Sequence, residues 1–119
     1  MPFWSLPDIE KPFFMQIIMP MEKKQWQKML DVAKSWTQAD EDSADAWYYL
    51  GYAQAKMGSL DYAKLFLNQA YKLNDRHLEA LVELYDISVS QNNPNESKRI
   101  LSLIGEINSD RADYILKNS

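Results

Sequence analysis

Apolar residues recur along most of this chain at the three- and four-residue intervals of a helix face, and no stretch alternates as a strand would. The pattern is cleanest at Trp26, Met29, Leu30, Ala33 and Trp36, which form one apolar stripe. Punctuation divides the periodic stretches. Asp8 is placed to cap a first helix, with Pro12 in its opening turn, where a missing N–H costs little. Pro20 is expected to end that helix or open the next one. Ser43 caps a third helix, and Gly58-Ser59 turns the chain into a fourth. Asn93-Pro94-Asn95-Glu96 combines a cap, a first-position proline and a Glu three residues after the cap. Ser109 opens a short last helix, 110–117. The expectation is seven helices: three antiparallel pairs and a terminal one.

Within 44–74, Trp47, Leu50 and Gly51 stand in a W-x-x-L-G arrangement, followed by Gly58, Ala63, Ala70 and Leu73. This ordered set across two helices resembles a tetratricopeptide repeat. One repeat forward, ~34 residues in this family, Glu79, Ala80 and Leu84 match Asp45, Ala46 and Leu50. Leu81 replaces Trp47 and Tyr85 takes the place of Gly51, while Ser97, Leu101 and Ile104 match Ala63, Leu67 and Ala70. One repeat back, Phe13, Ile17, Met29, Ala33 and Trp36 keep only the apolar character. The resemblance implies an all-α fold, a right-handed α-solenoid of three antiparallel helix pairs plus a C-terminal capping helix. The single domain then divides into an N-terminal arm (1–8), repeats at 9–43, 44–77 and 78–108, and a cap at 109–119. The last helix begins as a fourth repeat would and stops early. Its Ala112, Tyr114, Ile115 and Leu116 are expected to cover the previous pair, since an open final unit exposes apolar surface.

In that family the first helix of each pair lines a concave groove that takes an extended peptide or a partner helix. Carried over by register, the groove positions are Lys11, Phe14, Ile18 and Met21, then Asp45, Tyr48, Tyr52 and Ala55, then Glu79, Val82, Asp86 and Val89. The expected partner-binding set is Phe14, Ile18, Asp45, Tyr48, Tyr52, Glu79, Val82 and Asp86. Members that grip a C-terminal carboxylate use Lys, Asn and Arg in the groove. Here Phe14, Ile18, Tyr49, Glu79 and Glu83 hold those places, so that ligand is rejected. Asp45, Glu79, Glu83 and Asp86 would repel an acidic tail and favour an apolar partner with basic character. Tyr48 and Tyr52, four residues apart, are expected to face the groove and Tyr49 to lie away from it. Trp26, Trp36 and Trp47 are assigned to the core, and Met15, Met19, Met21, Met29 and Met57 to gaps between helices.

Composition narrows the function classes. A chain of 119 residues, 46% hydrophobic with four Trp and seven Tyr, has enough apolar material to fold as one domain. A net charge of −4 argues against a phosphate-tracking surface. Lys23, Lys24 and Lys28 are interrupted by Glu22 and Asp31, the pattern of a solvated helix face, so no nucleic-acid partner is expected. The absence of cysteine excludes disulfides, thiolate metal sites and lipid on Cys. It fits a reducing cytoplasm, with an exported mature chain as the alternative. The apolar start lacks a positive n-region and is broken by Asp8, Glu10 and Lys11. No segment approaches the ~20 apolar residues of a membrane span.

Catalytic chemistry finds no foothold. His77 is the single histidine and reads as a solvated loop or capping residue. Asp40, Glu41, Asp42 and Asp45 lack the spacing of a calcium loop and suit a helix N-terminus instead. Neither a cofactor nor a metal is expected, and the chain reads as a non-enzyme. The expected function is a protein–protein interaction module, with a small secretion-type chaperone or adaptor as its narrower form. The alternative is an assembly subunit that self-associates through its N-terminal arm. Pro2-Phe3-Trp4-Ser5-Leu6-Pro7 is expected to pack on the first helix pair or to join two copies as a homodimer.

Overall fold

The computed structural model describes residues 10–118. It contains α1 (Lys11–Glu22), α2 (Trp26–Ala39), α3 (Ala44–Lys56), α4 (Leu60–Leu73), α5 (Leu78–Ser90), α6 (Pro94–Ile107) and α7 (Ser109–Lys117). Among the described residues there is no strand, and each helix packs against the next along the chain. Short connections between packed neighbours make the successive helices antiparallel. The expected all-α architecture and its helix order are therefore present.

The main chain repeats more faithfully than the side chains do. The second helices of the pairs begin at residues 26, 60 and 94, and end at 39, 73 and 107, steps of 34 residues. The turn inside each pair places one residue in the left-handed region at the same interval: Lys24 (φ 57°), Gly58 (φ 84°) and Asn92 (φ 54°). Each second helix runs out into an extended residue, Asp40, Asn74 or Asn108. Backbone geometry is thus conserved between units whose packing residues differ, because turn and cap chemistry is satisfied locally.

The terminal helix breaks this period. Asn108 ends α6 and also caps α7, its side chain accepting from the Arg111 N–H at 3.0 Å. No four-residue linker like 40–43 or 74–77 intervenes, so α7 starts at 109 where a fourth unit would start at 112 (78 plus 34). It is a cover rather than a truncated repeat, and its cap is Asn108 rather than Ser109. Pro20 also departs from expectation, since it lies inside α1. It removes one N–H near the helix end, and the last turn still closes through Lys23 to Met19 (3.1 Å) and Lys24 to Met21 (3.2 Å).

Two apolar clusters make the core. Ile17, Met29, Leu30, Ala33, Trp36, Ala46, Leu50 and Ala53 form the first, and Ala63, Leu67, Ala70, Ala80, Leu81, Leu84, Ile100 and Ile104 belong to the second. Ile17, Met29, Ala33 and Trp36, the apolar positions of the first helix pair, are all fully buried. Gly51 explains the tight α3/α4 pair, because a Cβ there would sit 2.7 Å from Leu67 Cγ and 3.2 Å from the Ala63 carbonyl. Tyr85 occupies the corresponding place in α5, and α5 and α6 pack more loosely. Ser88 and Ser97 join them by a hydroxyl pair at 2.7 Å, and a cleft of about 430 Å³ opens beside Tyr85, Val89, Leu101 and Leu116.

The aromatic and methionine assignments need correction. Trp47 lies on Phe66 within its own helix pair (5.8 Å) but is only half-buried, its Nε1 donating to the Glu41 carbonyl at 2.8 Å. Trp26 is likewise half-buried. Met29 fills a gap as expected, whereas Met15, Met19 and Met57 are exposed. Met15 and Met19 lie on α1, which packs chiefly on α2, and Met57 is the C-cap of α3, so neither place offers a gap to fill. Among the described residues no helix is long and apolar enough to cross a membrane. The N-terminal segment 2–7 and the Asp8 cap lie outside the described residues.

Candidate functional site

The start of α3 is fixed by Ser43, whose Oγ accepts from the Ala46 N–H at 3.2 Å. The start of α5 is fixed by the residue 34 positions later, His77, whose Nδ1 accepts from the Ala80 N–H at 3.2 Å. His77 is therefore the capping residue that the sequence suggested, but it is not solvated. Its side chain is 9% exposed, and Nε2 lies 2.8 Å from Asp45 Oδ1. With Nδ1 accepting, Nε2 carries the proton and donates to Asp45. Asp45 thus ties the first turn of α3 to the start of α5.

Between these helix starts and α1 opens a cavity of about 520 Å³, lined by Phe14, Asp45, Tyr48, Tyr49, His77 and Glu79, among others. Its aromatic wall is continuous with the core. Phe13 stacks on Trp36 (6.0 Å) and Trp36 on Tyr49 (5.9 Å). Tyr49 meets Tyr48 (5.0 Å) and Phe14 (6.3 Å), and Tyr48 meets Tyr52 (6.0 Å), which stands edge-on to Trp26 (5.9 Å). Lys56 Nζ lies over the Tyr52 ring at 5.2 Å and the Trp26 ring at 6.0 Å.

Tyr48 is not the open groove residue that its spacing implied. It is 8% exposed, held between Tyr49, Tyr52 and the His77 ring (5.1 Å). The reason is tertiary: α3 and α5 touch each other, so the face between them is filled. Tyr49, expected to lie away, instead lines the cavity, and both it and Tyr52 are half-buried. Of the expected set, Phe14, Asp45, Tyr48 and Glu79 come together around the cavity. Ile18 is exposed on α1, Val82 packs against the second core cluster, and Asp86 lies further along α5.

Three carboxylates, Glu79, Glu83 and Asp86, follow i, i+4 and i+7 on α5 and so share one face. Arg111 Nη1 donates to Glu79 at 3.4 Å, a long contact between exposed groups. Burial pushes the Glu83 carboxyl up to about 7, with Asp86 and Glu79 adding to the effect and Lys56 opposing it. Burial likewise raises Asp86, against Lys56 and Arg111. The Tyr49 phenol is pushed up to about 12 by burial, then by Asp45 and Glu79. Tyr48 rises further, by burial first and then by Glu83 and Glu79.

Tyr49, Arg76 and His77 are among the cavity residues that the expected partner-binding set did not include. The signal for His77 was available: it stands one repeat after Ser43, at a cap. Nothing local marked Tyr49, whose place depends on Trp36 and Phe14 from other helices. Among the described residues no group of three His, Asp or Glu side chains is placed to hold a metal ion. Comparison with models of known protein families and with curated proteins returned no match.

Proposed function

We propose that this chain is a protein-interaction module that holds a segment of a partner against the face shared by α1, α3 and α5. The observation that carries this reading is the cavity of about 520 Å³ where those helices converge, walled by Phe14, Tyr48 and Tyr49 and edged by carboxylates. Aromatic walls with a few polar groups suit recognition of an extended or helical segment. The 34-residue backbone period and the close Gly51–Leu67 approach support the resemblance to tetratricopeptide repeats, whose first helices line a peptide groove. The acidic stripe on α5 favours a partner that is apolar with basic character. A small chaperone or adaptor is the narrower form of the same reading.

The test is affinity capture with the purified chain, comparing wild type with a Glu79→Lys/Asp86→Lys variant. Both residues are exposed, so the fold should survive the change. Expected is at least a tenfold loss of a partner captured by wild type. Equal capture by both proteins overturns the groove as the binding face.

Self-association is a second reading, favoured by exposed Met15, Ile18 and Met19 on α1, the first described helix. Light scattering at micromolar concentration decides it: a dimer supports assembly, and a monomer rejects it.

A further inference from the structure

Among the described residues, side chains that accept a backbone N–H cap four helices: Ser43 for α3, His77 for α5, Asn93 for α6 and Asn108 for α7. Ser and Asn are ordinary caps, and their oxygens remain acceptors whatever the pH. An imidazole accepts only while it is neutral, since protonation turns both ring nitrogens into donors. His77, the single histidine of the chain, uses both nitrogens at once. Nδ1 accepts from the Ala80 N–H at 3.2 Å, and Nε2 lies 2.8 Å from Asp45 Oδ1. The ring is enclosed, with a side chain 9% exposed and the Tyr48 ring 5.1 Å away. One repeat earlier, Ser43 caps α3 with no such dependence on charge.

We infer that His77 is a proton-operated clasp between the starts of α3 and α5, closed when the imidazole is neutral and released from α5 when it is charged. With a proton on Nδ1, two N–H groups would face each other across 3.2 Å, so the cap cannot survive. The Asp45 bond does survive, because a carboxylate accepts from a charged ring more strongly than from a neutral one. Protonated His77 therefore stays with α3 and gives up α5, leaving one N–H of its first turn without a partner. The groups facing the ring are Asp45 and Tyr48 of α3 and Glu79 of α5, with Glu10, Asp42 and Arg76 lining the same cavity. Four carboxylates against one guanidinium leave room for a charged ring, and the cap is the bond that requires a neutral one. Imidazoles change charge in the mildly acidic to neutral range, which is where the clasp acts. It is a device of the fold and stands or falls apart from the groove reading, although it sits in the wall of the same cavity.

The experiment is an NMR titration of the full isotope-labelled chain from pH 8 to pH 5, read at the His77 ring nitrogens and at the Ala80 and Ala46 amides. At pH 8 the ring should show the Nε2–H tautomer. As the ring titrates, hydrogen-exchange protection of the Ala80 amide, corrected for the intrinsic effect of pH, should fall at least fivefold with the ring's own midpoint. The Ala46 amide, held by Ser43, should keep its protection. His77→Asn retains an acceptor that does not titrate and should abolish the loss at Ala80. Glu83→Gln is the control for another group of α5, whose carboxyl burial pushes up to about 7, and should leave the loss intact. An Nδ1–H tautomer at pH 8 overturns the inference, as does a ring that stays neutral down to pH 5. An Ala80 amide that keeps its protection while the ring titrates overturns it as well, and these readings need only the wild-type chain. A loss that persists in His77→Asn, or vanishes in Glu83→Gln, assigns the response to another group and has the same consequence.

Discussion

Because Glu83 holds its carboxyl near 7 in the folded chain and near 4.5 when exposed, the fold takes up a proton that the unfolded chain releases. The sign follows from linkage. Above about 7 the group is ionised in both states and burial of its charge opposes folding; between 7 and 4.5 that penalty fades as pH falls. Glu83→Gln should therefore raise the denaturation midpoint at pH 8, with the gain shrinking by pH 5. A gain that stays constant across denaturant titrations at pH 5, 6.5 and 8 would count against this account. Two glycines give a second contrast at the residue scale. Gly51→Ala forces a Cβ to 2.7 Å from Leu67, whereas Gly105→Ala meets only Ala112 at 3.6 Å, an ordinary contact. Overpacking should cost the first variant about 1–3 kcal/mol. The second should gain about 0.5–1 kcal/mol from helix propensity. Urea denaturation of the two proteins ranks them directly, and the reverse order would refute the packing argument.

Helix starts are the element-scale features that sequence conveys best. Ser43 and Asn93 bond the backbone N–H three residues on, as their positions promised, because a cap needs only its own first turn. His77 does the same and adds a bond to Asp45 that only the α3/α5 contact supplies. Ser43→Ala should cost about 1 kcal/mol, the ordinary value of a cap. His77→Ala should cost more, since it also strips Asp45 of its partner, and His77→Asn should recover the capping share. A double-mutant cycle with Asp45→Asn measures the remainder; a zero coupling energy would remove the second role. Helix ends were less legible. Pro20 stays inside α1 because the loss of one hydrogen bond near a terminus is small beside the packing of Ile17 and Phe13.

For the molecule as a whole, contacts run from each helix to its neighbours, with α3 also touching α5. Stability in such a chain is close to a sum of local units and their interfaces. Deleting 109–119 removes Ala112 and Ile115 from the second core cluster and uncovers α6. Hydrogen exchange should then accelerate in α6 first and α5 next, with α3 little changed, and apolar dye binding should rise. Uniform loss of protection across the described helices would instead show one global unfolding unit.

Helical period, caps and turns made the seven helices and their order readable, because those signals act over four residues or fewer. Burial of Ile17, Met29, Ala33 and Trp36 was legible too, since these residues needed only to be apolar on one helix face. Tertiary structure decided which side of a helix faces a neighbour. Register placed Tyr48 and Tyr52 together in the open and Tyr49 behind them. The approach of α5 closed over Tyr48, and Trp36 and Phe14 drew Tyr49 to the cavity. The same approach brought His77 to Asp45 and partly enclosed Glu83. A period of 3.6 residues fixes an angle around one helix axis, whereas burial depends on the distance to the next axis. That distance is set by side chains on a different helix, such as Leu67 against Gly51 in one pair and Tyr85 in the other.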